Sequence, residues 1–363
     1  MIPITRPELP PLDEYRALLE QIWASRMLSN FGSLAQGLER LATEYLGVDT
    51  RVVVSGDIGL TLAISCFDLP PSSTCLVPSF TFNSTVSAVL WNRLRPVFVD
   101  IDPDTLTLDV AHAAALAREH RPRLIIATHV FGNPADVDGL SRVAASTGAR
   151  LLFDSAHGYG SRRGGVAVGN FGDAEVFSLS GTKPVTTAEG GLVSSKDVGF
   201  LGRFVQARAY GFQHDYNSKR LGLNGKMSEL HAALGLLTLR RIEEALERRA
   251  AHVQAYHTRL GRLAGLGFQK VRVEDRSSAK DFALLFPGPE QRDRVEAGLQ
   301  AASVQTKRYF RPCHRMDAFA TYATGALPVT DAVYARVLCL PLFESLTPVQ
   351  IDQICTVVEQ NYG

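Results

Sequence analysis

An aspartate and a lysine, each placed just beyond an apolar run, have the greatest potential for chemistry in this sequence. Asp154 directly follows the run 151–153, and Lys183 follows a Ser-Gly-Thr turn after the run that ends at Phe177. Asp154 could simply cap the next turn, and a lysine in such a place is usually a surface residue. As a pair, however, they match pyridoxal phosphate chemistry, in which a lysine forms a Schiff base and a carboxylate keeps the ring nitrogen protonated.

The same chemistry needs a site for the phosphate and a ring to stack on the pyridine. The segment Ser55-Gly56-Asp57-Ile58-Gly59 joins a predicted strand to a predicted helix, so its backbone N–H groups could bind phosphate. Phe80 and Phe82 stand at the end of another predicted strand, where an aromatic ring could stack.

The elements that must position these residues alternate along the first two-thirds of the chain. Runs that are apolar on both faces and are separated by crossover helices predict a buried, mostly parallel α/β sheet, which binds ligands beyond the carboxyl ends of its strands. The predicted strands are residues 51–54, 75–77, 96–99, 124–127 and 151–153, and the predicted helices are 58–67, 82–91, 110–119 and 137–147.

The pattern becomes helical after Met227. Apolar residues from Leu230 to Leu246 predict one continuous helix that leads into a second domain. That domain has a predicted strand at 282–286 and helices at 290–301 and 348–360. We therefore expect a large cofactor-binding domain at 1–245 and a smaller C-terminal α+β domain at 246–363.

Composition excludes several classes of protein. The 363 residues carry 38 Lys and Arg against 37 Asp and Glu, and this balance argues against a nucleic-acid or membrane-surface binder. No apolar run approaches the roughly 18–20 residues of a membrane span, and the start lacks a signal-peptide pattern. Five cysteines without CxxC spacing indicate reduced, buried thiols, no metal site and a cytoplasmic protein.

Several further motifs give the chain a family resemblance. The sequence resembles the DegT/StrS family of sugar aminotransferases, pyridoxal phosphate enzymes with the fold type I of aspartate aminotransferase. Its opening and sugar-side loops are most similar to enzymes that aminate nucleotide-linked 4-keto-6-deoxyhexoses. The resemblance covers nearly the whole chain, at residues 3–11, 29–32, 96–102, 129–134, 224–229 and 338–342.

The resemblance implies a role for each matching residue at the cofactor. Lys183 would be the Schiff-base lysine, and Asp154 the partner of the pyridine nitrogen. His157 falls where the family more often has glutamine, next to the phenolic oxygen of the cofactor. The other implied contacts are Ser178 and the Gly56-Asp57-Ile58 loop with the phosphate, and Phe82 with the ring.

The resemblance also implies a homodimer. Asn224 matches an asparagine that reaches the phosphate of the neighbouring subunit, so the two active sites would share residues. The candidate substrate contacts are His214, Tyr216, Lys226 and His314, with a solvated loop for His214 and Tyr216 and simple packing for His314 as the alternatives. Lys226 replaces a more common arginine and keeps its charge, but it lacks the planar fork of the guanidinium.

Asp57 departs from the family pattern Gly-Thr-(Ala/Ser)-Ala at the phosphate loop. A carboxylate 4 Å from a phosphate charge is repelled by about 4 kcal/mol at an effective dielectric constant of 20. We expect that Asp57 instead caps the following helix through its side chain while backbone N–H groups bind the phosphate. An altered cofactor site is the alternative.

The implied activity is a ping-pong transfer of an amino group from an amino acid, with glutamate as the expected donor, to a dTDP-linked 4-keto-6-deoxyhexose. Lys183 separates the chain from the dehydratase branch of the family, in which histidine takes that place. Two alternatives stay open: an aminotransferase of a cyclic ketone (aminocyclitol or aminobenzoate type), and a non-catalytic regulator on the same fold. No Ser-His-Asp set, HExxH or GxGxxG motif supports a hydrolase or a dinucleotide enzyme.

Overall fold

The N-terminal two-thirds of the chain form a sheet covered by helices. The computed structural model describes residues 1–212 and 216–363. The elements of this part are α1 (Leu12–Ser25), α2 (Ser33–Leu46), β1 (Thr50–Val53), α3 (Gly56–Ser65), β2 (Thr74–Pro78), α4 (Asn83–Trp91), β3 (Arg95–Val99), α5 (Val110–His120), β4 (Leu124–Thr128), α6 (Val137–Thr147), β5 (Arg150–Asp154), the short β6 (Arg162–Arg163) and β7 (Val166–Ala167), β8 (Ala174–Ser178), β9 (Gly191–Ser194) and α7 (Val198–Ala207).

The central sheet has seven strands in the order β1-β9-β8-β5-β4-β2-β3. The pairs from β3 through β2, β4 and β5 to β8 are parallel, and β9 runs antiparallel to both of its neighbours. All five residues of β4 are buried, as expected for a strand covered on both faces. The prediction of a mostly parallel, doubly covered sheet is therefore confirmed.

This topology gathers the ends of three chain segments at one edge of the sheet. β5 ends at Asp154, and the neighbouring parallel strand β8 ends at Ser178. Helix α3 begins at Gly56, close to the end of β8. Since the carboxyl ends of parallel strands form one edge, these residues surround a common space.

The C-terminal part packs a small sheet against helices. Its elements are α8 (Glu229–Leu239), α9 (Ile242–Leu260), β10 (Gly267–Phe268), β11 (Phe282–Leu285), α10 (Pro289–Ala301), α11 (Pro328–Arg336), β12 (Val337–Leu340) and α12 (Pro348–Tyr362). The strands form an antiparallel sheet in the order β10-β11-β12. Within the described ranges, no helix is long and apolar enough to cross a membrane.

The continuous helix predicted from Leu230 to Leu246 is wrong. α8 ends at Leu239, and Arg241 has φ −105° and ψ 9°, outside the helical range, before α9 begins. The apolar spacing continues through the break because both helices contribute side chains to the same buried cluster, among them Leu236 and Leu246. The spacing of the apolar residues therefore indicated a shared core and not an unbroken helix.

The predicted domain boundary at 245/246 falls inside α9. Leu246 packs in the core of the large domain, whereas Tyr256 and Leu260 pack in the C-terminal core. The chain start also crosses the boundary, because Ile2 packs in the C-terminal core and pairs with Val304. The division at 1–245 and 246–363 stays a prediction, and these contacts do not follow it.

Candidate active site

A cavity of about 410 Å³ lies beyond the carboxyl ends of β5 and β8. It brings together most of the residues predicted for the cofactor. Its lining includes Gly56, Asp57, Phe82, Asp154, His157, Ser178 and Lys183 from that set, together with Ser55, Ser84, Ser180, Thr182, Glu189, Lys280, Lys307, Tyr309 and Phe310.

The start of α3 forms one end of the cavity. The Ser55 hydroxyl caps the helix by accepting a hydrogen bond of 3.2 Å from the backbone N–H of Ile58. A Cβ on Gly56 would lie 3.1 Å from the Cβ of Ser178, so a larger residue would push the helix away from the strand. The first N–H groups of a helix have no hydrogen-bond partner within the helix. In α3 these groups lie beside Ser178, so this end of the cavity could bind an anion.

The expectation that Asp57 caps α3 is wrong. Ser55 holds that position because its backbone is extended, with φ −160° and ψ 159°, and its hydroxyl reaches back into the first turn. Asp57 is the second residue inside the helix, and its side chain is exposed. A carboxylate in the first helical turn is stabilised by the helix dipole, which accounts for an acid at this position without a capping role.

Asp154 is a buried carboxylate with only 3% of its surface exposed. The Thr85 hydroxyl donates to its Oδ2 at 2.6 Å, and the backbone N–H of Ala156 donates to its Oδ1 at 3.1 Å. Burial raises the pKa of Asp154 in spite of these two hydrogen bonds. A carboxylate in such surroundings is stabilised as an anion when a cation binds beside it.

Lys183 lies in the loop that follows β8, where its backbone N–H donates to the carbonyl of Ser180 at 3.0 Å. Burial, and next the positive charge of Lys280, lower the pKa of Lys183 to about 7, although Asp281 and Asp154 act in the opposite direction. At neutral pH, Lys183 is therefore a neutral amine in a large fraction of the molecules, and this is the form that attacks a carbonyl group.

His157 reaches the cavity from the turn after β5. Its ring lies beside a stacked pair of aromatic rings, with its centre 6.4 Å from that of Phe131 and 5.9 Å from that of Phe310. Burial, and then the charges of Lys183 and Lys280, lower the pKa of His157 well below its ordinary value. The imidazole is therefore neutral at neutral pH.

The C-terminal part supplies one wall of the cavity, and none of the residues of this wall is predicted from the sequence. Lys280 comes just before β11, and Lys307, Tyr309 and Phe310 come from the segment after α10. The Nζ of Lys307 donates to the Tyr309 hydroxyl at 2.8 Å. One signal was available, a Lys-Asp pair immediately before a wholly apolar strand. Glu189 also lines the cavity.

Asn224, which is predicted to act across a dimer, and Lys226 are not among the residues that line the cavity of their own chain. Asn224 is exposed and pairs through its backbone with Ala209. The Nζ of Lys226 donates to the Asn30 side chain at 2.6 Å and lies 4.7 Å from the ring centre of Tyr210.

The candidate substrate contacts are not gathered at the cavity either. Tyr216 is 86% exposed, and His214 lies outside the described residues. The Nδ1 of His314 is 2.6 Å from the Ser79 hydroxyl, and its Nε2 is 3.3 Å from Asp331. These contacts are those of a packed residue at the domain junction.

The fold and this set of side chains define an aminotransferase. The model of the DegT/DnrJ/EryC1/StrS aminotransferase family matches residues 12–359, and the chain belongs to this family.

Relatives of the chain include enzymes named for nucleotide-linked amino sugars. The dTDP-4-amino-4,6-dideoxy-D-glucose transaminase of Shigella dysenteriae is 29% identical over an alignment that covers 98% of each chain. The GDP-perosamine synthase of Caulobacter vibrioides is 29% identical over 92% of this chain and 91% of its own. The crystal structure of DesI in the presence of its TDP-sugar product has a TM-score of 0.93 and 30% identity, covering 99% of this chain and 93% of that one.

Proposed function

We propose that this protein is a pyridoxal-phosphate-dependent aminotransferase that moves an amino group from an amino acid, with glutamate as the expected donor, to the keto group of a nucleotide-linked sugar. The observation that carries the proposal is the meeting of Lys183 and Asp154 in one cavity, beside the start of α3. The names of the relatives support the choice of a sugar nucleotide, with a dTDP-linked 4-keto-6-deoxyhexose as the expected acceptor.

The side chains of the cavity fit pyridoxal phosphate. Asp154 offers a buried carboxylate for a protonated ring nitrogen, and Lys183 an amine for a carbonyl group. The first N–H groups of α3 and the Ser178 hydroxyl would hold the phosphate, and Phe82, at 57% exposure, has an open ring face for stacking. When bound, the cofactor supplies a carbonyl group that carries the amino group and a ring that withdraws electrons.

The proposed reaction requires a group that moves protons near neutral pH. The Nζ of Lys183 suits this task, because its pKa of about 7 lets it release and accept a proton with little driving force in either direction. Asp154 supplies a fixed negative charge, oriented by Thr85 and by the N–H of Ala156, where positive charge must be stabilised.

The local donors also explain how a nearly uncharged chain could hold two anionic ligands. With a net charge of +1, the protein has no global positive field to attract a phosphate or a diphosphate. Binding would therefore depend on helix N–H groups, on hydroxyls and on the few lysines at the cavity.

We further propose that the active protein is a homodimer in which Asn224 and Lys226, with the loop that carries Tyr216, complete the site of the partner. In support of this, Asn224 and Tyr216 are exposed in the single chain, and all three residues lie away from its own cavity. A cytoplasmic location stays a prediction from the sequence.

The first experiment tests the activity. Protein reconstituted with pyridoxal phosphate should show the visible absorption of a lysine-bound cofactor, and one equivalent of glutamate should convert that band in a single turnover. Lys183→Ala should abolish turnover, with Lys196→Ala as the surface control. A panel of keto-sugar nucleotides and cyclic ketones then identifies the acceptor, and normal turnover by Lys183→Ala would refute the assignment.

The second experiment tests the shared site. Lys183→Ala and Asn224→Ala homodimers should each be inactive. A mixed dimer of the two variants would have one site with both defects and one with neither, so about half of the wild-type activity should return. If mixing restores nothing although mixed dimers form, the two residues do not act across the interface.

A further inference from the structure

Residues 276–281, just before β11, fasten the small domain to the large one beside His157. The Ser278 hydroxyl donates to the backbone carbonyl of His157 at 2.5 Å. The backbone N–H of Lys280 donates to the carbonyl of Phe131 at 3.0 Å. The side chains at the end of this segment are therefore held at a fixed place beside the imidazole.

Two buried polar atoms face each other at this junction. The Nδ1 of His157 and the Oδ2 of Asp281 are 3.7 Å apart, and in the described parts of the chain neither has a hydrogen-bond partner. The other oxygen of Asp281 accepts from the Nζ of Lys280 at 3.0 Å. Lys280 is 5% exposed and the Asp281 side chain 8%, so the three groups form a buried row of cation, anion and imidazole.

The neighbouring carboxylate selects the protonation state of the ring. If Nδ1 carried no hydrogen, its lone pair would face a carboxylate oxygen, and two acceptors would repel each other without water between them. With a hydrogen on Nδ1, the ring presents a donor to Asp281. A neutral imidazole has one N–H only, so its Nε2, on the opposite side of the ring, then carries a lone pair.

We propose that Asp281, with its charge balanced by Lys280, is a positioning residue that fixes His157 as the Nδ1–H tautomer, so that its Nε2 is a hydrogen-bond acceptor in the cavity. The inference rests on the proposed function, in which an amino acid enters with a protonated amino group. That ammonium group donates an N–H hydrogen bond to the lone pair of Nε2, which orients the donor nitrogen in the cavity without any proton leaving it.

The charged and titratable groups around His157 are consistent with a neutral resting state. Lys183 faces it from the loop after β8, and Lys280 and Asp281 from the segment before β11. Asp154 ends the strand that leads to His157, and Tyr309 lines the same cavity. Burial, and then the charges of Lys183 and Lys280, keep the pKa of the imidazole low. Lys280 therefore helps to keep His157 neutral beside Asp281.

The test is nuclear magnetic resonance of the holoenzyme with ¹⁵N-labelled histidine, with the His157 signals assigned from a His157→Gln sample. Long-range ¹H–¹⁵N spectra should show the Nδ1–H tautomer in the wild type at neutral pH. Lys280→Met should raise the pKa of His157 by about 1 or more, because it leaves Asp281 unbalanced. Asp281→Asn should lower that pKa and remove the tautomer preference. Asp331→Asn, at the other His–Asp contact, should leave His157 unchanged.

Because Lys280→Met and Asp281→Asn should change the pKa of His157 in opposite directions, the two variants distinguish electrostatic positioning from packing. If the two residues were merely structural, both substitutions would admit water and move the pKa of His157 upward together, and that result would overturn the proposal. An Nε2–H tautomer in the active wild-type holoenzyme would also overturn it, without any variant having to fold. A protein that shows the Nδ1–H tautomer but transfers no amino group from any donor would support the positioning and contradict the proposed function.

Discussion

Lys183 should destabilise the cofactor-free protein, and by an amount that depends on pH. Its pKa of about 7 in the folded chain compares with 10.5 for an ordinary lysine. Between these values the unfolded chain binds more protons than the folded one, so stability rises with pH through this window. Replacing the lysine with methionine, which has a similar length and no charge, removes this dependence.

The magnitude follows from the two pKa values. The lysine costs about 4 kcal/mol of folding free energy at pH 7 and about 1 kcal/mol at pH 9.5, because deprotonation of the unfolded chain removes most of the difference. Lys183→Met should therefore exceed the wild type in unfolding free energy by an amount that shrinks by about 3 kcal/mol over this range. The ionisations of groups that Lys183 does not influence cancel in the comparison, because both proteins share them.

The assay is urea unfolding of the two cofactor-free proteins, followed by tryptophan fluorescence at several pH values between 7 and 9.5. Lys270→Met is the matched control, because the Lys270 side chain is 69% exposed and pairs with Asp104 at the surface. Its difference from the wild type should not change with pH. If the Lys183→Met difference is equally constant, the amine is not held as a neutral group, and the basis for its reactivity fails.

Three further changes test the starts of two helices, α3 at the cavity and α2. Gly56→Ala should weaken binding of pyridoxal phosphate at least tenfold in an absorbance titration, because its Cβ would lie 3.1 Å from that of Ser178; unchanged affinity would show that the helix start does not hold the phosphate. Asp57→Thr should strengthen binding by less than about tenfold, because the exposed carboxylate is screened by solvent. Glu229→Gln should lower the free energy of unfolding by about 1–3 kcal/mol in urea, because this buried carboxylate accepts two backbone hydrogen bonds at the start of α2; exposed Glu20→Gln is its control.

The sequence predicted the strands of the parallel sheet because a strand buried on both faces has a distinctive composition. Residues 124–127 and 151–153 are uniformly apolar, and they form β4 and β5. Helix bounds were also predicted closely where a cap stands in the sequence. Asp136 accepts from the N–H of Gly139 at the start of α6, which spans Val137–Thr147 as predicted. These features are local, so the local sequence is enough to specify them.

Features that depend on distant contacts could not be predicted in the same way. Lys280 and Tyr309 reach the cavity from segments about a hundred residues beyond Lys183, and no local pattern marks them as neighbours. The cap of α3 was assigned to Asp57 rather than Ser55 because both residue types favour helix starts, and the choice depends on where the chain leaves its extended conformation. The sequence restricted the cap of α3 to two residues, and the tertiary structure determined which of them takes the position.

Glu175 shows why burial alone does not identify a functional acid. It lies on β8 beside β5 and is fully buried. It accepts hydrogen bonds from the Ser155 hydroxyl at 2.5 Å and from the N–H groups of Gly169 at 2.7 Å and Phe171 at 2.8 Å. A carboxylate offers about four lone-pair sites, so most of its capacity is used within the protein.

Asp154 is the acid with capacity left for a ligand. It accepts two hydrogen bonds, lines the cavity and has a raised pKa, whereas the bonds of Glu175 hold the start of the turn that carries His157. The two acids are equally buried, and both lie in apolar strands. The two acids differ in the number of hydrogen-bond donors that the fold places around each carboxylate. We therefore expect Glu175 to act through the position of His157, and Asp154 to act on the bound ring itself.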